Sequence, residues 1–158
     1  MIKFLHLTLC WLTGCFCLSL VPTALAMHRA DNSKYFMFIE PDATQKSTEP
    51  VDDALTLSLQ LAMEQAVTGT SSYTDLNDAG SFKTEASYRG MHFCEDGAVS
   101  DVHDYLLPNG FITNSLATHY ARYYRSVLPS TELKKLQDLH QFMQDRRRKN
   151  KTNKEEEL

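Results

Sequence analysis

The chain is poor in the residues that would name a chemistry. It has four cysteines, and three of them, Cys10, Cys15 and Cys17, crowd into the first 17 positions. No Cys-x-x-Cys pair occurs, and that spacing is the stronger signature of structural zinc. An excess of positive charge is also missing: 16 Lys and Arg stand against 20 Asp and Glu, for a net charge of -4. That balance argues against a nucleic-acid partner, which leaves a strongly basic footprint on a domain. A mean hydropathy of -0.36 excludes a polytopic membrane protein. At 158 residues the chain is too short for a TIM barrel or a two-lobed enzyme and suits one domain. Charged residues at 23% lie close to the usual share of ~25%, which argues against wholesale disorder. No internal repeat and no motif naming a reaction occurs.

The one long apolar run lies at the start. Lys3 is the only charged residue in positions 1–26. Residues 4–21 are mainly apolar, Pro22 breaks the run, and Ala24-Leu25-Ala26 follows. A basic start, an apolar stretch and a small-x-small ending predict a secretory signal peptide cut after Ala26. Two alternatives stand beside it. The run is about the minimum length for an uncleaved membrane anchor. Leu12-Thr13-Gly14-Cys15 resembles a bacterial lipobox whose Cys15 carries a lipid, although the apolar residues after Cys15 do not suit one. Cleavage would remove Lys3 and no acid, and would leave Cys94 as the only cysteine. The exported chain would then have no internal disulfide and would rely on a hydrophobic core.

The remainder predicts a mostly helical α+β domain with three helices and a short irregular β element. Residues 27–50 read as an N-terminal strand at 35–39, rich in aromatics, and a polar linker. Residues 51–145 read as one globular domain, and 146–158 as a charged flexible tail. Leu55, Leu59, Ala62, Met63 and Ala66 recur on one face of a helix over about 51–67. Residues 68–81 are polar and predict a loop. Short strands are expected at 87–94 and 105–107. Pro108-Asn109-Gly110 predicts a turn, because Asn and Gly tolerate positive φ. A second helix over about 115–128 is capped by Thr113 or Asn114, and a third over about 131–147 by Ser130. In the tail, six basic residues precede Glu155, Glu156 and Glu157. The basic run suits anionic lipid or nucleic acid, and with the acidic run after it the expectation is a solvated tail.

Candidate chemistry gathers between residues 89 and 120. His92 and Cys94 are two residues apart, so on a strand they share a face and reach one metal ion. His103, His119, Asp101 and Asp104 would complete a zinc shell of Cys, His and carboxylate. A second reading makes Cys94 a nucleophile activated by His119 or His103, with Asp104 or Asn114 orienting the imidazole. Glu95 and Asp96 beside Cys94 oppose a thiolate. A third reading buries Cys94 as a small hydrophobe and packs His119 in the core against Leu116 and Tyr123, bonded to Ser115. An intermolecular disulfide through Cys94 is a fourth. Tyr120, Tyr123 and Tyr124 with Arg122 and Arg125 are typical interface anchors.

Arg89-Gly90-Met91-His92-Phe93-Cys94, Leu107-Pro108-Asn109-Gly110, Thr113-Asn114-Ser115-Leu116 and His119-Tyr120 resemble a group of small uncharacterised bacterial proteins over about residues 88–136. The resemblance implies a bacterial origin and no particular reaction. A second Cys follows Cys94 in that group, whereas Asp96 stands here. The sequence therefore predicts an exported protein of the periplasm or cell surface. It would be a non-enzymatic accessory, binding or assembly factor whose partner is another envelope protein, with no nucleic acid. Membrane contact would run through the signal segment or a lipid anchor. The alternative is a zinc-binding or Cys/His-dependent enzyme built on His92, Cys94, His103 and His119.

Overall fold

The computed structural model describes residues 33–72, 81–83 and 91–156. The signal segment, with Ala24, Ala26 and Cys15, lies outside the described residues, as do Arg89 and Gly90. The fold is α+β and mostly helical. Helix α1 spans Ala54–Glu64, strands β1 and β2 span Val67–Ser72 and Ser81–Lys83, and strands β3 and β4 span Asp104–Leu106 and Ile112–Asn114. Helix α2 spans Ala117–Tyr123, and α3 spans Ser130–Glu156. The strands form an antiparallel sheet in the order β2-β1-β3-β4.

Helix α1 is shorter than its apolar period suggests. Asp53 ends the preceding extended segment and accepts a hydrogen bond from the Thr56 amide at 3.0 Å, so Ala54 is the first helical residue. Residues 51–53 are committed elsewhere. The Val51 amide donates to the Arg122 carbonyl at 2.9 Å, and Arg122 clamps Asp52 with bonds of 2.7 and 2.8 Å. Arg125 reaches Asp53 and the Thr56 hydroxyl. These links fix the start of α1 against α2, while the Leu59 and Ala62 face packs on α3.

Part of the predicted polar loop at 68–81 is sheet. Val67, Thr68 and Gly69 pair with Leu106, Tyr105 and Asp104, and the following residues pair with 81–83. Neighbouring strands supply the reason, since this stretch has no apolar alternation of its own. The predicted strand at 35–39 is in turn reduced to a parallel bridge between Tyr35 and Ile112. Two backbone bonds hold it, from the Phe36 amide to Ile112 and from the Ile112 amide to Lys34, both 2.8 Å. Met37 then takes φ 57°, which leaves the extended region, and its amide is held by Glu132 Oε2 at 2.7 Å.

The turn at 108–110 joins β3 to β4. Gly110 has φ 88° and its amide donates to Leu107 at 2.9 Å. Asn114 ends β4 and its side chain accepts from the Leu116 amide at 2.9 Å, but neither Thr113 nor Asn114 is the cap expected: Leu116 is the N-cap of α2 and no side chain bonds the helix start. Helix α2 is shorter than expected, because a 3-10 turn at Arg125–Val127 replaces its last part. Phe36, Leu59, Leu107, Tyr120, Tyr124, Leu136 and Leu139 fill the core, each nearly devoid of solvent contact. Helix α3 runs on to Glu156 through residues expected as a flexible tail, supported locally by Thr152 Oγ1 on the Arg148 carbonyl. Among the described residues no helix is long and apolar enough to cross a membrane.

Candidate functional site

The residues from 92 to 100 form a small hairpin folded back on itself. The Cys94 amide donates to Ala98 at 2.8 Å, the Gly97 amide to Cys94 at 3.0 Å and the Ser100 amide to His92 at 2.9 Å. Gly97, at φ 89°, supplies the reversal. The His92 amide donates to the Ser100 hydroxyl at 2.8 Å, and that hydroxyl donates to the Asp101 carbonyl. Side chains alternate. Cys94 and Ser100 are buried, whereas Met91, Phe93 and Val99 are 51%, 66% and 44% exposed. Phe93 and Val99 face each other across the hairpin bridge.

Asp96 anchors the inner side. Its side chain is 5% exposed, and its Oδ2 accepts from Lys46 Nζ at 2.7 Å and lies 2.9 Å from His119 Nε2. Its Oδ1 accepts from the Ala98 amide at 3.1 Å. Burial pushes the Asp96 carboxyl up, but the hydrogen bonds from Lys46, Ala98, Cys94 and His119 outweigh burial and hold it well below the usual carboxylate range. Lys46 is held above its ordinary value by the same contact with Asp96. Lys46 also sits 5.1 Å from the centre of the Tyr123 ring. The His119 ring lies 5.2 Å from that of Tyr123 and 5.8 Å from that of Tyr124. Cys94 is 5% exposed, and its Sγ lies 3.7 Å from the Tyr124 hydroxyl. Burial pushes the Cys94 thiol up, and the neighbouring Asp96 carboxylate adds to that. The thiol is therefore protonated at neutral pH.

Cys94, Asp96 and His119 each present a ligand atom, all within 4.8 Å of one another, so this group could hold a metal ion. The grouping differs from the one expected. Cys94 and His119 come together, but His92, His103 and Asp104 are not in the group. His92 turns its ring to the edge of Phe38, with centroids 5.5 Å apart. The His103 amide donates to Asp101 Oδ1 at 3.0 Å, and Asp104 is buried in β3. Ser115, expected to bond His119, instead accepts from the Asp101 amide at 2.9 Å. The Tyr105 hydroxyl donates to Asp101, and burial followed by that carboxylate pushes Tyr105 up to about 12. Cys94 is a free thiol. Asn114 is spent on the Leu116 amide.

Lys46 is not among the residues expected at the site, and Asp96 is expected there only as a charge opposing a thiolate and as the residue in place of a second Cys. No local pattern ties Lys46, in the polar linker, to a residue 50 positions away. Asp96 carried a signal, since Asp-Gly at 96–97 marks a turn whose carboxylate bonds a nearby amide. A second polar chain lies between α1 and α3. Ser58 Oγ is 2.7 Å from His140 Nδ1, and Gln144 Nε2 is 2.7 Å from His140 Nε2, in a groove of about 400 Å³ that Leu57, Leu61 and Arg147 also line. No family model matches this chain, and neither a curated protein nor a solved structure matches it.

Proposed function

We propose that the protein is a non-enzymatic binding or assembly factor of the bacterial cell envelope, acting after export in the periplasm or at the cell surface. Its partner is another envelope protein that offers an apolar groove. One observation carries this reading. The 92–100 hairpin turns Phe93 and Val99 outward while Asp96, on its other side, is tied to Lys46 and His119. An apolar surface on a pre-ordered loop binds at a lower entropic cost than one on a mobile loop. The chemistry beneath it favours holding over reacting. The thiol is protonated and enclosed, and the carboxylate is occupied by Lys46, His119 and the Ala98 amide. Export itself rests on the sequence of residues 1–26.

A photo-crosslinking residue at position 93, in the full chain in its own cells, tests the reading. A discrete adduct at 93 that is absent at the exposed control position 57 supports it. Equal labelling at the two positions counts against it.

Zinc at Cys94, Asp96 and His119 is the second reading, favoured by the 4.8 Å grouping of their ligand atoms. Zinc there would have to displace Lys46 from Asp96 and take the proton from a thiol whose pKa burial has raised. One equivalent of zinc in the purified protein, lost in His119→Ala, would establish this reading over the purely structural one.

A further inference from the structure

The last buried side chain of α3 is Met143, and residues 146–155 are exposed. Arg147 is the last residue of α3 to line the groove against α1, and at 1.5 Å per residue 148–156 continue for roughly 13 Å beyond it. Between positions 146 and 154 stand Arg146, Arg147, Arg148, Lys149, Lys151 and Lys154, with no acidic, apolar or aromatic residue among them. Arg148 contacts Asp145 at 3.6 Å and Lys151 contacts Glu155 at 3.8 Å. Arg146, Arg147, Lys149 and Lys154 have no carboxylate partner among the described residues. A protein that is acidic overall thus carries an exposed helical arm with six cations over nine residues, ended by Glu155 and Glu156.

We propose that this arm docks the protein on an anionic lipid surface. Successive residues step about 100° around a helix, so these six cations surround the arm and meet a plane of charge from almost any rotation. Without apolar residues the arm stays at the headgroups and does not insert. Without aromatic residues it also lacks the stacking platforms that single-stranded nucleic acid uses. Lipid is the polyanion an exported chain meets, so the choice of lipid rests on the export reading above, while the polyanion affinity of the arm does not.

The test uses protein purified from the cells that make it. Vesicles of neutral phosphatidylcholine are compared with vesicles containing anionic phosphatidylglycerol. A set of Arg146→Gln, Arg147→Gln, Lys149→Gln and Lys154→Gln in one chain serves as the variant. Each basic residue near an anionic surface contributes several-fold in affinity, so the variant should bind anionic vesicles at least about a hundredfold more weakly. Raising the salt to ~0.5 M should release the wild type, because exposed charges are then screened. Equal binding of variant and wild type to anionic vesicles, or no preference for them over neutral ones, overturns the proposal. Tight binding to duplex DNA without vesicle binding overturns the lipid assignment. The crosslink at position 93 reads a separate surface, so either reading can fail alone.

Discussion

Replacing Asp96 with Ala removes the acceptor shared by Lys46, His119 and the Ala98 amide. Lys46 is exposed enough to rehydrate, so no share of the loss is assigned to it. The Ala98 amide and His119 are only partly accessible, and each loses a charge-assisted bond. Such losses run at ~1–3 kcal/mol for each polar group left without a partner; water still reaches part of both groups, which puts each near the lower end and the total at about 2–3 kcal/mol. In a domain of this size ~1 kcal/mol moves Tm by about 4 °C, so Asp96→Ala should melt roughly 8–12 °C lower. Asp96→Asn keeps an acceptor for Ala98 and should lose about half as much. The acid limb gives an independent check. The folded pKa of Asp96 is depressed, so its contribution is full above the unfolded value of ~3.9 and is lost as pH falls through the folded value. Stability measured by urea unfolding between pH 7 and 2 should therefore fall less steeply with acid in Asp96→Asn than in the wild type. A melting shift under ~3 °C in Asp96→Ala, or an unchanged acid limb in Asp96→Asn, would refute the claim that this carboxylate holds the hairpin.

A Cβ at Gly110 meets no atom within 4 Å, so the cost of Gly110→Val is set by the backbone at φ 88° and should be ~1–3 kcal/mol by chemical denaturation. Chain truncation after Asp145 removes the exposed side chains of 146–155, so Tm should move by less than ~4 °C while binding to anionic vesicles is lost. Cys94 should react with iodoacetamide at pH 7.5 at least about tenfold more slowly in the native protein than in 6 M urea, because it is buried and protonated. A fast native reaction would restore the nucleophile reading.

The helices were legible because their signals are local: apolar spacing in α1, the Leu116 and Tyr120 spacing in α2 and Pro129 before α3. The 108–110 turn was legible for the same reason, since Gly110 needs its positive φ. Strand β1 was not. Val67-Thr68-Gly69-Thr70 has no alternation, and only pairing with β3 and β2 makes it a strand. The bridge at Tyr35 and the turn at Met37 depend on Ile112 and Glu132, about 77 and 95 residues away in sequence. The site divides in the same way. Cys94 and His119 drew attention by residue type, and the structure places them together. His92 was grouped with Cys94 on the assumption of a regular strand, whereas its ring turns to Phe38. Lys46 left no trace in the sequence, because an ion pair across 50 residues has no local pattern.

The most direct test of the hairpin clasp is amide hydrogen exchange at Cys94, Gly97, Ala98 and Ser100 in the wild type and in Asp96→Ala. Cys94, Gly97 and Ser100 donate to backbone carbonyls within the hairpin and Ala98 donates to Asp96 itself. The account predicts protection of all four amides in the wild type, and at least about a tenfold loss of it in Asp96→Ala, while the α1 and α3 amides change only by the global loss of stability. Unprotected hairpin amides in the wild type, or protection that survives removal of Asp96, would contradict it.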